Sequence, residues 1–257
     1  MMPARLNQCA LLALVSVLPL AGASVWADEP IMLYYNDRPP YMSMDALGRV
    51  TGISATPAIA AFTKAGIAFE LHESSPERQL RTLKRNDTRA CNIGWFKNPE
   101  RETFAKFSRA LSQDSAMVAV GNADFTTPVG VSVEALLANP DLRVLVKDSV
   151  SYGPTLQALF ATMNATKVRT AAEYPQLLRM IQGRRADIVF MPLEQAIAYT
   201  RASARAQTPT EFSIIQFVKP VPGEARYIMC SMLVEDSTIA KINAALGSDV
   251  ASQVRER

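Results

Sequence analysis

From residue 31 to residue 246, short apolar runs of strand type alternate with helical patterns, and this alternation points to α/β architecture. Residues 31–35, 67–71 and 91–95 read as strands. Between them, 57–65 and 74–85 read as helices, the first opened by Thr56 before Pro57 and closed by Gly66, the second opened by Ser74-Ser75-Pro76-Glu77. A helix is expected after Pro99, with Phe104 and Phe107 forming an apolar stripe at three-residue spacing. The pattern breaks near Ser115 and then restarts. Strands at 117–120, 142–146, 167–169, 187–191 and 212–217 alternate with helices at 133–139, 155–163, 173–183 and 193–204. A final strand at 227–234 and a helix at 237–246 complete the first half. The expected molecule is a two-lobed clamshell with an interlobe cleft, lobe one formed by 28–115 together with 223–257 and lobe two by 116–222.

The first 27 residues read as a cleaved secretory signal peptide. Arg5 is the only charge before Asp28, residues 9–23 are almost wholly apolar, and small residues follow at Ala21, Ala23, Ser24 and Ala27. Cleavage after Ala27 and after Ala23 are both compatible with that pattern. The apolar core is shorter than the ~20 residues that a membrane-spanning helix needs, and no later segment reaches that length. No cysteine stands at the cleavage region, which argues against a lipid anchor. The mature chain is therefore expected to be soluble in the periplasm.

Charge and motifs exclude several function classes. The formal charge is +3, and it falls to +2 when Arg5 leaves with the leader. That small excess gives no basis for nucleic-acid binding, which needs a concentrated basic surface. There is one histidine, His72, with no metal-ligand spacing around it, and there is no GxSxG elbow or phosphate loop. No cofactor, metal or enzymatic activity is expected; the acid pair Glu194 and Asp37 is the enzymatic alternative left standing. Cys91 and Cys230 remain after cleavage, and their spacing is compatible either with a disulfide in an oxidising compartment or with two buried thiols.

The segment 90–111 carries the functional signal. It sets Trp95 and Phe96 at the carboxyl end of an apolar strand and Arg101 in a turn just beyond, where ligands collect in open α/β sheets. Read from the residues alone, Arg101 is either a ligand contact or a solvated helix charge beside Glu100 and Glu102. Trp95, Phe96, Tyr41 and Tyr152 are likewise either cleft aromatics or core, and Lys97 adds a second cation beside Arg101; in a cleft this mixture suits a planar or partly apolar organic anion, or an amine held by cation–aromatic contact. The loop 149–155 precedes a helix and offers amides together with the hydroxyls of Ser149, Ser151 and Thr155, a combination suited to an anion or simply to a helix cap.

Several features in order resemble one family over essentially the whole mature chain. They are Pro39-Pro40-Tyr41 after the first strand, Gly48 and Gly52 before the first helix, Pro99-Glu100-Arg101 followed by Phe107-Ser108, Gly183-Arg184-Arg185-Ala186-Asp187 before a strand, and the tail strand and helix. The chain resembles bacterial extracellular solute-binding proteins of the family 3 type, the polar amino-acid receptors of ABC transporters. The resemblance implies the type II periplasmic-binding-protein fold and a small organic anion or amino-acid-like ligand. It implies a monomer that works with an ABC permease or, alternatively, a sensing or partner-binding protein with no transport role. It places Arg101 on a ligand carboxylate, which the planar guanidinium fork matches. It also puts Cys91 and Cys230 on neighbouring antiparallel strands, within reach of a disulfide. The family's acid for the ligand ammonium falls at Pro192, with Glu194 displaced from it, and its lobe-one acid is replaced by Ser54. A standard amino acid held in the standard way is therefore not expected, since a buried ammonium without a carboxylate costs several kcal/mol.

Overall fold

The computed structural model describes residues 29–148, 150–205 and 212–247. The leader read at 1–27, Ser149 and the tail beyond 247 lie outside the described residues. In chain order the elements are β1 (Ile31–Tyr35), β2 (Ser43–Met44), β3 (Val50–Thr51), α1 (Ala55–Lys64), β4 (Phe69–Glu73), α2 (Pro76–Arg85), β5 (Ala90–Phe96), α3 (Pro99–Glu102) and β6 (Ala105–Gln113). They continue with β7 (Met117–Asn122), α4 (Val133–Leu137), β8 (Arg143–Lys147), α5 (Gly153–Thr162), β9 (Thr166–Thr170), α6 (Tyr174–Gln182), β10 (Ile188–Pro192), α7 (Leu193–Arg205) and β11 (Phe212–Ile215). The chain then returns through β12 (Ala225–Ser231) and α8 (Asp236–Leu246).

Two five-stranded sheets result. The first has the order β4-β1-β5-β12-β6, with β1 parallel to β4 and β5, and β12 antiparallel to β5 and β6. The second has the order β11-β7-β10-β8-β9, with β8 parallel to β9 and β10, and β7 antiparallel to β10 and β11. Each sheet is covered on both faces. Phe62 of α1 and Ile242 of α8 pack on Leu33, Ile93 and Ile228, while Leu83 of α2 packs with Trp95 and Met229 on the opposite face. In the second sheet, Leu136, Leu156 and Phe160 cover Val144, Ile188 and Phe190, and Leu177, Ile181 and Ala196 cover Val120, Leu145 and Val189. The run Ile-Val-Phe-Met-Pro of β10 is buried throughout, as a central strand covered on both faces requires.

The expected helix beyond Pro99 is a single turn. Phe104 lies past its end and Phe107 lies within the nine-residue strand β6. Spacing of three is compatible with one helical face, but β6 gains a partner along its length in β12, and Phe107 meets Tyr227 edge-on at 6.1 Å across that pairing. Tertiary pairing outweighs local pattern here.

The chain crosses between the sheets twice, at 114–116 and 217–224. The crossings are tied by the Asp114 N–H to the Glu224 carbonyl at 3.1 Å, the Met117 N–H to the Val221 carbonyl at 2.9 Å, and the Gln113 amide to the Gly223 carbonyl at 2.6 Å. A Cβ on Gly223 would overlap the carbonyl oxygens of Ser115 and Asp114. Gly223→Ala is accordingly expected to destabilise the protein by about 1–3 kcal/mol, the range for forced overpacking; an unchanged urea midpoint would count against a close approach at this crossing.

Cys91 and Cys230 stand opposite each other on β5 and β12, both fully buried, with sulfurs 2.06 Å apart and Cα atoms 4.0 Å apart. The bridge spans 139 residues of sequence, which include the whole second sheet. Alkylation of the non-reduced protein followed by mass spectrometry is expected to leave both cysteines unmodified. Replacing the pair by alanine is expected to cost on the order of 2–5 kcal/mol. Two alkylated cysteines would refute the bridge.

Candidate functional site

A cavity of about 50 Å³ lies between the sheets, walled by residues from the carboxyl ends of β1, β5 and β8 and from the start of α6. One water needs ~10–15 Å³, so the space suits a compact ligand. It adjoins an outer groove of about 1070 Å³ between the start of α2 and α6, with Asn36, Pro76 and Glu173 common to both.

The lobe-one wall follows from a break in β5. On β12 the single residue Ile228 stands opposite the two residues Ile93 and Gly94, and Gly94 takes φ +76°. Such a bulge re-aims the residues that follow. Trp95 turns under α2, where its Nε1 donates to Gln79 Oε1 at 2.9 Å while Gln79 donates to the Ser74 carbonyl at 2.8 Å. The Arg101 guanidinium rests 4.8 Å from the Trp95 ring and donates to the Phe96 carbonyl at 2.7 Å, and its backbone N–H is capped by Asn98 Oδ1 at 2.9 Å. The residue is only 8 % exposed, and among the described residues no carboxylate lies within ion-pair distance of it. Burial pulls its pKa down to about 10, Glu100 opposing and Arg226 adding to the shift, so it remains a cation at neutral pH.

Behind this wall lies Arg226. It donates from Nε and Nη2 to the two Asp114 carboxylate oxygens at 2.6 and 2.5 Å and from Nη1 to the Gly94 carbonyl at 2.9 Å. Its guanidinium also lies 4.1 Å from the Tyr41 ring and 4.4 Å from the Phe96 ring. Burial is the strongest single influence and works against its charge, but Asp114 together with Tyr41 and Tyr174 more than offsets it and raises its pKa. The Asp114 carboxyl is itself lifted by burial, with Arg226 opposing; the two short contacts mark the pair as ionised.

Lobe two contributes Lys147 from the end of β8, with Val150, Ser151, Glu173 and Tyr174. Lys147 Nζ donates to the Ala172 carbonyl at 2.9 Å and to Glu173 Oε1 at 3.2 Å. Arg38, in the loop after β1, reaches across to donate to Gln195 Oε1 at 2.7 Å, its guanidinium 4.9 Å from the Tyr41 ring and 5.0 Å from the Tyr174 ring.

Of the residues singled out from the sequence, Trp95, Phe96, Arg101 and Ser151 meet at this cavity. Tyr41 is fully buried behind it and donates to Glu194 Oε1 at 2.5 Å; burial holds its hydroxyl above the ordinary value, so it stays a donor. Glu194 also accepts from the Ser115 N–H at 3.2 Å, which ties it to the crossing strand and not to the cavity. Tyr152 turns into the lobe-two core against Phe160 and accepts from the Lys147 N–H, because its ring gains more from burial than from the cleft. Thr155 is exposed on α5, and Lys97 pairs with Glu102 at 2.8 Å. At the start of α5 a Cβ on Gly153 would come within 2.6 Å of Glu224 Oε1, so the protein's own carboxylate lies against the amides that the sequence suggested for a ligand anion. The sequence reading missed Arg38, Lys147, Glu173, Tyr174 and Arg226. Arg38 and Lys147 carried a usable signal, since each stands at or just beyond a strand's carboxyl end.

A family model for bacterial extracellular solute-binding proteins, family 3, matches residues 31–251. The chain belongs to that family. Solved structures share its fold. An ancestral arginine-binding protein bound to arginine superposes with TM-score 0.67 at 16% identity, covering 88% of this chain and 96% of the other. Holo ArgBP from T. maritima gives 0.65 at 16%, covering 88% and 94%. A periplasmic His/Glu/Gln/Arg/opine family-binding protein from Silicibacter pomeroyi in complex with lysine gives 0.64 at 17%, covering 88% and 93%. Among curated proteins no sequence match is found. The family 3 chain thus carries the two-lobed fold of binding proteins, with a cavity between its lobes whose wall is rich in cations.

Removing Asp114 leaves the Arg226 charge buried without its partner. Asp114→Ala is expected to cost about 3–5 kcal/mol in urea unfolding, and the double variant Asp114→Ala, Arg226→Met to recover most of that loss. A single-variant cost below about 1 kcal/mol would show that the pair is not needed at the crossing.

Proposed function

We propose that this chain is a periplasmic receptor that captures a small organic anion, or the carboxylate of an amino-acid-like ligand, in the interlobe cavity and delivers it to an ABC permease after removal of residues 1–27. The observation that carries the reading is Arg101: a buried guanidinium at the cavity wall, positioned by Trp95 and the Phe96 carbonyl, with no carboxylate among the described residues within ion-pair distance. A guanidinium offers paired donors that fit two carboxylate oxygens, and exclusion of water strengthens the pairing. Trp95 and Phe96 supply apolar faces, and Ser151 brings a hydroxyl from the opposite wall. Residues 28–115 with 223–257 act as one lobe and 116–222 as the other. The crossings near Ser115 and Gly223 serve as the hinge about which ligand favours closure.

Thermal shift across a panel of small carboxylates reads the binding directly, because a ligand of the folded state stabilises it by RT ln(1 + [L]/Kd). Arg101→Ala is expected to weaken the best ligand by about 2–5 kcal/mol, with the melting temperature of the free protein little changed. Unaltered affinity in that variant would remove Arg101 from the site.

A further inference from the structure

Accepting Arg101 as the grip for one carboxylate, we propose that the ligand carries a second acidic group and no ammonium, and that Arg38 receives this second group. Four cations line the cavity: Arg38, Arg101, Lys147 and Arg226. Two are already committed, Arg226 to both oxygens of Asp114 and Lys147 to Glu173 and a backbone carbonyl. Arg101 and Arg38 have no carboxylate partner among the described residues.

Arg38 is also short of acceptors. A guanidinium has five N–H donors, and one of the Arg38 groups, Nη2, is used on Gln195 Oε1. Its Nε–H is buried with no acceptor, and so is the Nε2 amide of the same Gln195. The orientation of Gln195 follows from its oxygen accepting from Arg38, so the unmatched atom beside that bond is a donor. Of the two, Arg38 lines the cavity, and its unmet Nε–H is completed there by a group that only accepts. Each unmet donor costs about 1–3 kcal/mol, and an ionised acid satisfies such donors while neutralising the charge. The Tyr41 and Tyr174 rings hold the guanidinium in place, so little ordering is needed on binding.

The same wall excludes an ammonium. Among the described residues the one carboxylate lining the cavity is Glu173, and it is held by Lys147 at 3.2 Å. An ammonium placed between Arg38, Arg101 and Lys147 would meet like charges with no free carboxylate to offset them. The cavity of about 50 Å³ itself holds only a short chain between the two guanidinium groups, and a small dicarboxylate fits that span.

The test uses three matched probes with the mature chain in isothermal titration calorimetry: glutarate, valerate, which lacks the second acid, and glutamate, which adds an ammonium. Glutarate is expected to bind roughly 30-fold or more tightly than either of the others, the effect of one well-paired buried charge. Arg38→Gln should bring the glutarate-to-valerate ratio close to one. Gln195→Glu, which preserves side-chain shape and gives Arg38 an internal carboxylate, should do the same and provides the answer if Arg38→Gln fails to fold. Valerate or glutamate binding as tightly as glutarate would overturn the second subsite. So would variants that weaken glutarate and valerate equally. If those results accompany a loss of binding in Arg101→Ala, the anion-receptor reading stands and this inference alone falls. If no probe binds, this inference falls, and the thermal-shift panel of small carboxylates decides the anion-receptor reading separately.

Discussion

The buried ion pair between Asp114 and Arg226 is the interaction on which the rest of the molecule depends. Asp114 begins the outward crossing and Arg226 lies at the start of the returning strand, so the pair fastens the two crossings at the point where the sheets part. Arg226 also donates to the Gly94 carbonyl at the bulge of β5 and lies against the Tyr41 and Phe96 rings. One guanidinium thereby fixes the crossing, the bulge that aims Trp95, and the loop that carries Arg38. Hydrophobic residues of similar volume often replace buried ion pairs without loss of stability. What they would not supply is a directional bond to the Gly94 carbonyl, and with it the aim of the segment that presents Arg101.

The cations around the cavity are kept there by different means, and the difference decides their use. Lys147 is neutralised by Glu173, and Arg226 by Asp114, and both are structural charges. Arg101 and Arg38 are held by carbonyl or amide oxygens and by aromatic faces, neither of which removes the charge. Cation–aromatic contacts are worth about 0.5–2 kcal/mol, enough to position a guanidinium while leaving its N–H groups open to an anion.

The alternation of strands and helices was legible because buried parallel strands such as β10 are continuous apolar runs, and because helices such as α2 carry clear start signals in Ser75 and Pro76. Phe104 and Phe107 misled because three-residue spacing does not reveal that β12 returns from far along the chain to pair with β6. The site was partly legible for a related reason. Arg101, Trp95 and Phe96 lie within one local stretch, where strand, turn and cap can be read together. Arg226 was not legible, since it lies at the start of a strand that reaches the cavity only through the second crossing. The place of Tyr152 stayed open because an aromatic beside a helix start can turn either way, and here the packing against Phe160 and the bond from the Lys147 N–H draw it into the core.

Glu194 and Pro192 bear on the ligand class proposed for this cavity. Pro192, where the resemblance would set an acid for a ligand ammonium, is the buried last residue of β10, and its ring offers no charge. The nearby acid, Glu194, is engaged by the Tyr41 hydroxyl and the Ser115 N–H. A carboxylate so occupied would have to break two hydrogen bonds to meet an ammonium, and Tyr41 would then be left buried without an acceptor. Glu194 thus ties the loop after β1 to the crossing strand. With that carboxylate engaged at the crossing, the proposed anion grips Arg101 and Arg38 keep their charges.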